Sequence, residues 1–316
     1  MTGGESRDGV ALTNLDEPLF DGAEATKRDL IDYLDAVADQ IIAGLTDRPL
    51  SVVRVLRGRP PFMQKNVPKY TPPWVRTVQV WAEASKREVS YALCNDRRTL
   101  LWLANQRAVE YHPTLVRAEH WNQPTHMVLD LDPPDGDGFA AAVGAAHLVR
   151  QALADAGLVG TAKTSGAKGV HVYVPVSEAA TGEEVAAATR AIAVRAEQID
   201  LALATTAYVR ADREGKVFLD STRSGGATVV AAYSPRIRPG APVSYPVAWE
   251  DLDQVTPADF TVRSAARMVA DGDPWAEAMP EPQQISRELV EEGREIPVAR
   301  VQAMHEGKRR ARERRA

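Results

Sequence analysis

The chain has 316 residues, 44% hydrophobic and 26% charged, with a formal net charge of −5 at pH 7. That length allows one sizeable core, or a core with a small attached subdomain, and the composition is ordinary for a soluble globular protein. It excludes a helical membrane span, because no run approaches the roughly 20 apolar residues that one needs. A lone Cys94 excludes an intrachain disulfide or a cysteine-based zinc site and fits a reducing cytoplasm. The stretch Met1 to Val10 is polar, without the apolar core of a signal peptide. The charge is uneven: Arg300 to Ala316 carries seven Lys/Arg and two Glu, a basic tail suited to a phosphate backbone.

Residues 1–13 read as a disordered N-terminus. Thr26 caps a predicted helix from Lys27 to about Leu45, with Leu30, Leu34, Val37, Ile41 and Leu45 at helical spacing. Leu50 to Leu56 reads as a strand, Arg57 to Pro73 as a long loop, Val78 to Trp81 and Val89 to Leu93 as strands, and Arg98 to Val109 as a short helix. His126 to Leu131 is a buried-type strand stopped by Pro133-Pro134, followed by an Ala-rich helix over Phe139 to Ala156. Thr161 to Lys163 and Val170 to Val176 flank a Gly/Lys turn as a hairpin. Thr181-Gly182-Glu183-Glu184 opens a helix to about Ala204. Val217 to Asp220 and Ala227 to Ala232 read as strands; a Pro-rich connection, a C-terminal helix and the basic tail complete the chain. The mixture, without regular βαβ alternation, predicts an α+β fold.

Four segments carry chemistry. In Val128-Leu129-Asp130-Leu131-Asp132-Pro133 the two aspartates share one face of an apolar strand. Two carboxylates that close repel unless a cation lies between them, and hard divalent ions take such oxygens. The alternative is a pair of surface aspartates at a strand end. Lys216-Val217-Phe218-Leu219-Asp220 brings a third carboxylate from a separate strand, as two-metal nucleotidyl transfer requires; by itself Asp220 reads first as a helix cap or turn residue. Thr164-Ser165-Gly166-Ala167-Lys168-Gly169-Val170-His171 can offer backbone N–H groups and cations to a triphosphate, or be a plain hairpin turn. The loop Arg57 to Tyr70 interleaves Arg57, Arg59, Lys65 and Lys69 with Phe62, Met63 and Tyr70, which suits a nucleic-acid contact, or a solvated loop anchored by Phe62.

Taken in order, these segments resemble the polymerase domain of bacterial ligase D, within the archaeo-eukaryotic primase superfamily. The resemblance spans roughly Leu15 to Leu252 and includes Thr26-Lys27, Phe62 to Pro68, Glu110-Tyr111-His112-Pro113, the Asp130/Asp132 strand, Ser165 to His171, Phe218-Leu219-Asp220 and Tyr233-Ser234-Pro235-Arg236. It implies a primase-type catalytic core of two opposed β-sheets flanked by helices, over residues 14–285, with a C-terminal helix and basic tail over 286–316. It implies a template-directed nucleotidyltransferase that extends primer ends or fills short gaps in DNA repair, or else a primer-synthesising primase or an end-binding scaffold.

The resemblance also implies residue roles. Asp130, Asp132 and Asp220 correspond to catalytic ligands of Mn²⁺ or Mg²⁺. Ser165, Lys168, His171, Arg223 and Arg236 correspond to triphosphate contacts, and His112 to a residue near the nucleotide sugar. Lys27, Phe62, Met63, Lys65, Lys69 and Arg213 fall to DNA, Lys27 at the pocket for a downstream 5′-phosphate and Arg213 at the primer end. The implied partners are DNA with gaps or primer ends, nucleoside triphosphates, a separate DNA ligase and an end-binding protein, in a nucleoid-associated cytoplasmic setting. Two positions depart from the family. Met63 stands where a second Phe is common, and Glu17 stands where ligase D carries a lysine; a carboxylate repels a phosphate. A polymerase alone fits a stand-alone relative like the separate primase-polymerases of actinobacteria.

Overall fold

The computed structural model describes residues 5–298 apart from 83–85, 137, 178, 226 and 271; the basic tail from Arg300 therefore lies outside the described residues. The elements in chain order are β1 (Ser6–Arg7), β2 (Val10–Ala11), α1 (Lys27–Ala36), α2 (Ala38–Leu45), β3 (Leu50–Arg54), β4 (Phe62–Gln64), β5 (Thr77–Ala82), β6 (Arg87–Ala92), α3 (Arg97–Asn105) and β7 (Ala108–Pro113). They continue as β8 (His126–Asp132), α4 (Phe139–Asp155), β9 (Thr161–Thr164), β10 (Val170–Pro175), α5 (Gly182–Ile199), β11 (Ala204–Thr205), β12 (Val217–Asp220), β13 (Pro246–Val247), α6 (Ala265–Met268), α7 (Pro274–Ala278) and α8 (Arg287–Glu295).

Two sheets organise the chain. In one, β3 pairs with β4 and β6 along one edge and with β7 along the other, and β5 extends it from β6. The other has the order β11-β12-β8-β10-β9-β13. Its middle strand β8 reads as a near-continuous apolar run because both faces are covered: Met127, Val128, Leu129 and Leu131 are fully buried. Small side chains on α4 and α5, among them Ala142, Ala145, Ala187 and Ala191, are likewise buried and let the helices lie close to the sheet and to each other. Among the described residues no helix is long and apolar enough to cross a membrane.

Several sequence expectations are corrected. Residues 5–13 are not disordered: β1 and β2 form a hairpin, Val10 and Leu12 are buried, and Arg7 pairs with Asp32 and Asp35 of α1. The helix opened by Thr26 has its capping box with Asp29, but Val37 leaves helical geometry (φ −105°, ψ 19°) and divides it into α1 and α2. The helix expected to reach Val109 ends at Asn105, because Arg107 takes a left-handed backbone, φ 62°. Its guanidinium reaches the Val55, Pro18 and Leu19 carbonyls, and β7 starts immediately after. The basic loop contains β4, which pairs Met63 with Val53 and Phe62 with Arg54. α5 stops at Ile199 because the Asp200 side chain accepts from the Ala202 and Leu203 N–H groups. Ala227 to Ala232 is no strand. It is a strap along β7, joined by Val229 N–H to the Pro113 carbonyl and Ala231 N–H to the Tyr111 carbonyl, so the chain runs along the other sheet between β12 and β13 of the six-stranded one.

α8 closes over α5. Arg195 pairs with Glu292, and Arg190 donates to the Gly293 carbonyl. A Cβ on Gly293 would lie 1.9 Å from the Ala187 carbonyl oxygen, with backbone as the obstacle. We expect Gly293→Ala to cost roughly 1–3 kcal/mol, the range for overpacking a fixed contact. A urea midpoint indistinguishable from that of the parent protein would contradict this close approach.

Candidate active site

Strand register builds the site. Asp220 of β12 lies directly opposite Asp130 of β8, His171 of β10 opposite Asp130 on its other side, and Lys163 of β9 opposite His171. Because directly opposed residues share a face, these four side chains form one row across four strands. Asp132, two residues on from Asp130 in β8, adds a third carboxylate to the same face.

The row is linked end to end. Lys163 Nζ lies 2.8 Å from His171 Nδ1, and His171 Nε2 lies 3.1 Å from Asp130 Oδ1. An ionised carboxylate only accepts, so Nε2 carries the proton that meets Asp130 and Nδ1 of the neutral ring accepts from Lys163. Lys163, 0% exposed, also donates to Ser244 Oγ at 2.6 Å. Burial, and then the charge of Arg236, pushes its ammonium well below the ordinary lysine range. Burial, and then Lys163, brings the His171 imidazole down to about 4, so it is neutral at pH 7. Burial alone would raise the Asp130 carboxyl, but His171, Arg223 and Lys163 outweigh it and hold it well below its ordinary value. Asp132 moves the other way. Burial, and then the charge of Asp130, lifts it to about 6, as expected for carboxylates crowded together without enough positive charge.

A cavity of about 800 Å³ opens over this face, lined by Asp130, Asp132, His171, Ser165, Lys168, Arg223, Arg236 and, from the other sheet, His112. Asp220 lies beneath, buried, with Oδ1 accepting from the Thr222 N–H and hydroxyl. The β9–β10 turn is closed by Ser165, whose Oγ accepts from the Ala167 and Gly169 N–H groups at 3.2 and 3.0 Å. Its hydroxyl proton is thereby left to donate into the cavity. Gly166 has φ +66° and a Cβ there would come within 2.7 Å of the Ser244 backbone nitrogen, so the turn needs glycine. Lys168 projects beside this turn and pairs with Asp135 at 3.1 Å.

Glu110, quoted in a motif but given no role from sequence, joins two cavity residues. Its carboxylate lies 2.9 Å from His112 Nε2 and 3.2 Å from Arg236 Nε, and accepts from the Ile237 N–H at 2.9 Å. The Arg236 Nε is close to Glu110 yet misaligned for a hydrogen bond, and this guanidinium also donates to the Ser165 carbonyl. Lys163 was likewise missed. Its signal was an alternation in Thr161-Ala162-Lys163 that puts the lysine on the face of His171, legible only once the hairpin register is known.

The residues assigned to DNA are scattered. Phe62 and Met63 on β4 are 38% and 47% exposed, and Lys65 and Lys69 are exposed beside them. Arg213 stacks on the Phe218 ring at 3.8 Å and, with Asp132, Lys168, Arg210 and Lys216, lines a second pocket at the far end of the carboxylates. Lys27 does not fit its expected role. It is 2% exposed, its Nζ is spent on the Thr13 carbonyl and on Asn105 Oδ1 at 2.5 and 2.7 Å, and burial brings it down to about 8. The neighbouring cavity contains Glu17 paired with Arg107 at 3.4 Å, and Arg28 paired with Glu5 and Asp16. The two ring nitrogens of His171 face partners within the row, Lys163 and Asp130.

With this geometry in place, comparison with known proteins is informative. Residues 26–275 match the family model described as LigD, primase-polymerase domain. The chain is 34% identical over 258 residues to the bifunctional non-homologous end joining protein LigD of Bacillus subtilis, covering 80% of this chain and 41% of that protein. It is 33% identical over 283 residues to the multifunctional non-homologous end joining DNA repair protein LigD of Mycobacterium tuberculosis, covering 86% and 37%. The chain thus spans about two fifths of the length of these relatives. Among solved structures, the polymerase domain of Mycobacterium tuberculosis ligase D in complex with DNA superposes with a TM-score of 0.78 at 33% identity, covering 87% of this chain and 99% of that one.

Glu110 offers a test of the joint between the sheets. Burial alone would raise its carboxyl; the His112 hydrogen bond, the Arg236 charge and the Ile237 N–H outweigh that and hold it at about 2, against 4.5 for a free glutamate. A depressed carboxylate adds stability above the unfolded value, and that contribution is lost as pH falls from 4.5 toward 2. By this linkage we expect Glu110→Gln to cost on the order of 3 kcal/mol at pH 7 and progressively less below pH 4.5. Urea unfolding at pH 7 and pH 3 measures both; an equal cost at the two pH values would mean that charge is not what Glu110 contributes.

Proposed function

We propose that this chain, which belongs to the LigD primase-polymerase domain family, adds nucleotides to primer ends and short gaps in DNA under the direction of a template strand. The supporting observation is the composition of one cavity: carboxylates on its floor, cations and a hydroxyl on its wall. Asp130 and Asp132 face Ser165, Lys168 and Arg236 across about 800 Å³, within the usual range for a small-molecule site. A triphosphate needs the second set, and a divalent cation bound to that triphosphate needs the first.

The three aspartates fit such a cation chemically. All offer hard oxygen donors, and two are buried on adjacent strands directly opposite each other. When bound there, Mg²⁺ or Mn²⁺ supplies Lewis-acid stabilisation of the attacking hydroxyl and the leaving pyrophosphate. The chain's own groups do the rest. Lys168 and Arg236 bring charge-assisted donors to the phosphates. Ser165 contributes a neutral donor. Glu110 keeps His112 at the mouth of the site on the opposing sheet, where a nucleotide sugar extending from those phosphates would lie. Lys163 and His171 fix the Asp130 carboxylate so that it does not rotate away from Asp220. Phe62 and Met63, projecting from β4 between exposed lysines, suit a base and its backbone, and Arg213 suits the primer end beside Asp132.

Primer extension on gapped DNA tests this reading. We expect Asp130→Ala or Asp132→Ala, or chelation of divalent ions, to lower nucleotide addition on the order of a thousandfold, about 4 kcal/mol in barrier, while gapped DNA is still bound. Extension by the double variant at the parental rate would overturn it.

The buried Lys27 and the carboxylate of Glu17 also set an expectation for the DNA end. With Lys27 enclosed and Glu17 at the cavity edge, a downstream 5′-phosphate should strengthen binding by less than about tenfold, roughly 1.4 kcal/mol. Paired titrations with phosphorylated and unphosphorylated gaps measure this, and a hundredfold preference would contradict it.

A further inference from the structure

The guanidinium of Arg223 stands where a cation belongs. Its Nη2 lies 3.0 Å from Asp130 Oδ2, and its Nε lies 3.2 Å from Asp220 Oδ2. The other oxygen of each carboxylate is held elsewhere: Asp130 Oδ1 by His171, Asp220 Oδ1 by Thr222. Both Oδ2 atoms are therefore the ones left for a shared positive charge, and an arginine of the chain itself has taken them. Among the described residues no three acidic or imidazole side chains form a ready metal cage.

We infer that Arg223 is a resident counter-ion, which bridges Asp130 and Asp220 until a divalent cation arrives and is then released to the nucleotide's phosphates, so that cation and nucleotide each promote binding of the other. This rests on the reading of the aspartates as cation ligands. Directly opposed, buried carboxylates repel, and removing a buried partner from such a pair is costly; a bridging arginine relieves this while the cation is away. A divalent ion at the same oxygens competes with the guanidinium and is repelled by it, so the two exclude each other.

The surroundings let the side chain move without the backbone. Arg223 lies on the turn Thr222–Gly225, which is anchored separately: Ser224 Oγ accepts from the Val128 N–H at 3.1 Å and from the Thr189 hydroxyl at 3.1 Å. The Arg223 side chain is 33% exposed and lines the same cavity as Ser165, Lys168 and Arg236. A displaced guanidinium enters that cavity and adds its charge to those of Lys168 and Arg236. Cation binding thus creates demand for the triphosphate. By reciprocity, a triphosphate that draws Arg223 away raises affinity for the cation by the same factor.

Mn²⁺ alone is the probe. Titrate the whole chain with Mn²⁺ without nucleotide, following the free aqua ion by electron paramagnetic resonance, for the parent protein, Arg223→Ala and Arg223→Gln, with Asp130→Asn and Asp220→Asn as references. Both Arg223 variants should bind Mn²⁺ about tenfold more tightly than the parent, because the competing charge is gone. Their melting temperatures should fall below the parent's in a chelator and converge on it in saturating Mn²⁺, which a merely structural arginine would not produce. Equal or weaker Mn²⁺ binding in both Arg223 variants, with binding lost in the two Asp→Asn references, overturns the inference but leaves the cation site standing. Mn²⁺ binding unaffected by Asp130→Asn and Asp220→Asn overturns both.

Discussion

The arrangement depends on Asp130 being buried, ionised and satisfied on both sides. It lies in the middle strand of a sheet, where an isolated carboxylate would be strongly disfavoured. It is held there because neighbouring strands supply His171 on one side and Asp220 with Arg223 on the other, in a register that puts all of them on one face. A one-residue slip of β8 against either neighbour would send Asp130 to the opposite face. A two-residue slip would preserve the buried pattern and still separate it from its partners. Pairing of these strands is thus fixed by charge as well as by apolar burial.

The second sheet is tied to this row by few contacts, all chemically relevant. Glu110 on β7 accepts from Ile237 and approaches Arg236, and the strap from Thr228 to Ser234 follows β7 before turning into the cavity wall. Tyr233 ends that strap in a left-handed backbone, φ 65°, fully buried, with its carbonyl accepting from the Tyr33 hydroxyl at 2.8 Å. A bulky residue there is strained, and the strain sits immediately before Ser234-Pro235-Arg236. The placement of Arg236 is therefore set by packing from α1 and by a carboxylate from the opposite sheet, not by a local turn preference.

What could be read from the sequence follows from these distances. The period of two in β8 placed Asp130 and Asp132 on one face, and an apolar strand ending in Asp220 was visible beside them, because both signals are local. Lys163 faces His171 across a hairpin eight residues long whose register the turn alone does not reveal, and Glu110 meets Ile237 and Arg236 some 127 residues on in sequence, so neither drew a role. Lys27 was misjudged for the related reason that a helix N-terminus looks exposed until the chain before it is seen to cover it. The hairpin at residues 6–11 carries too few apolar residues to announce itself, and it is ordered through ion pairs to α1. Met63 is exposed because β4 turns it outward, whatever its chemistry.

The contrast between the buried row and the β4 loop has a consequence for ionic strength. In physiological salt, interactions between exposed charges are largely screened beyond about 8 Å, and screening is effective where water surrounds the charge. Lys65 and Lys69 are exposed, so their attraction to a phosphate backbone weakens steeply as counter-ions accumulate. Lys163 is buried and the Arg236 guanidinium is 15% exposed, so counter-ions screen these groups little. On the proposed reading, rising salt would loosen a hold on DNA made through these lysines well before a hold on a nucleotide made through Arg236, letting the strand exchange while the pocket stays charged.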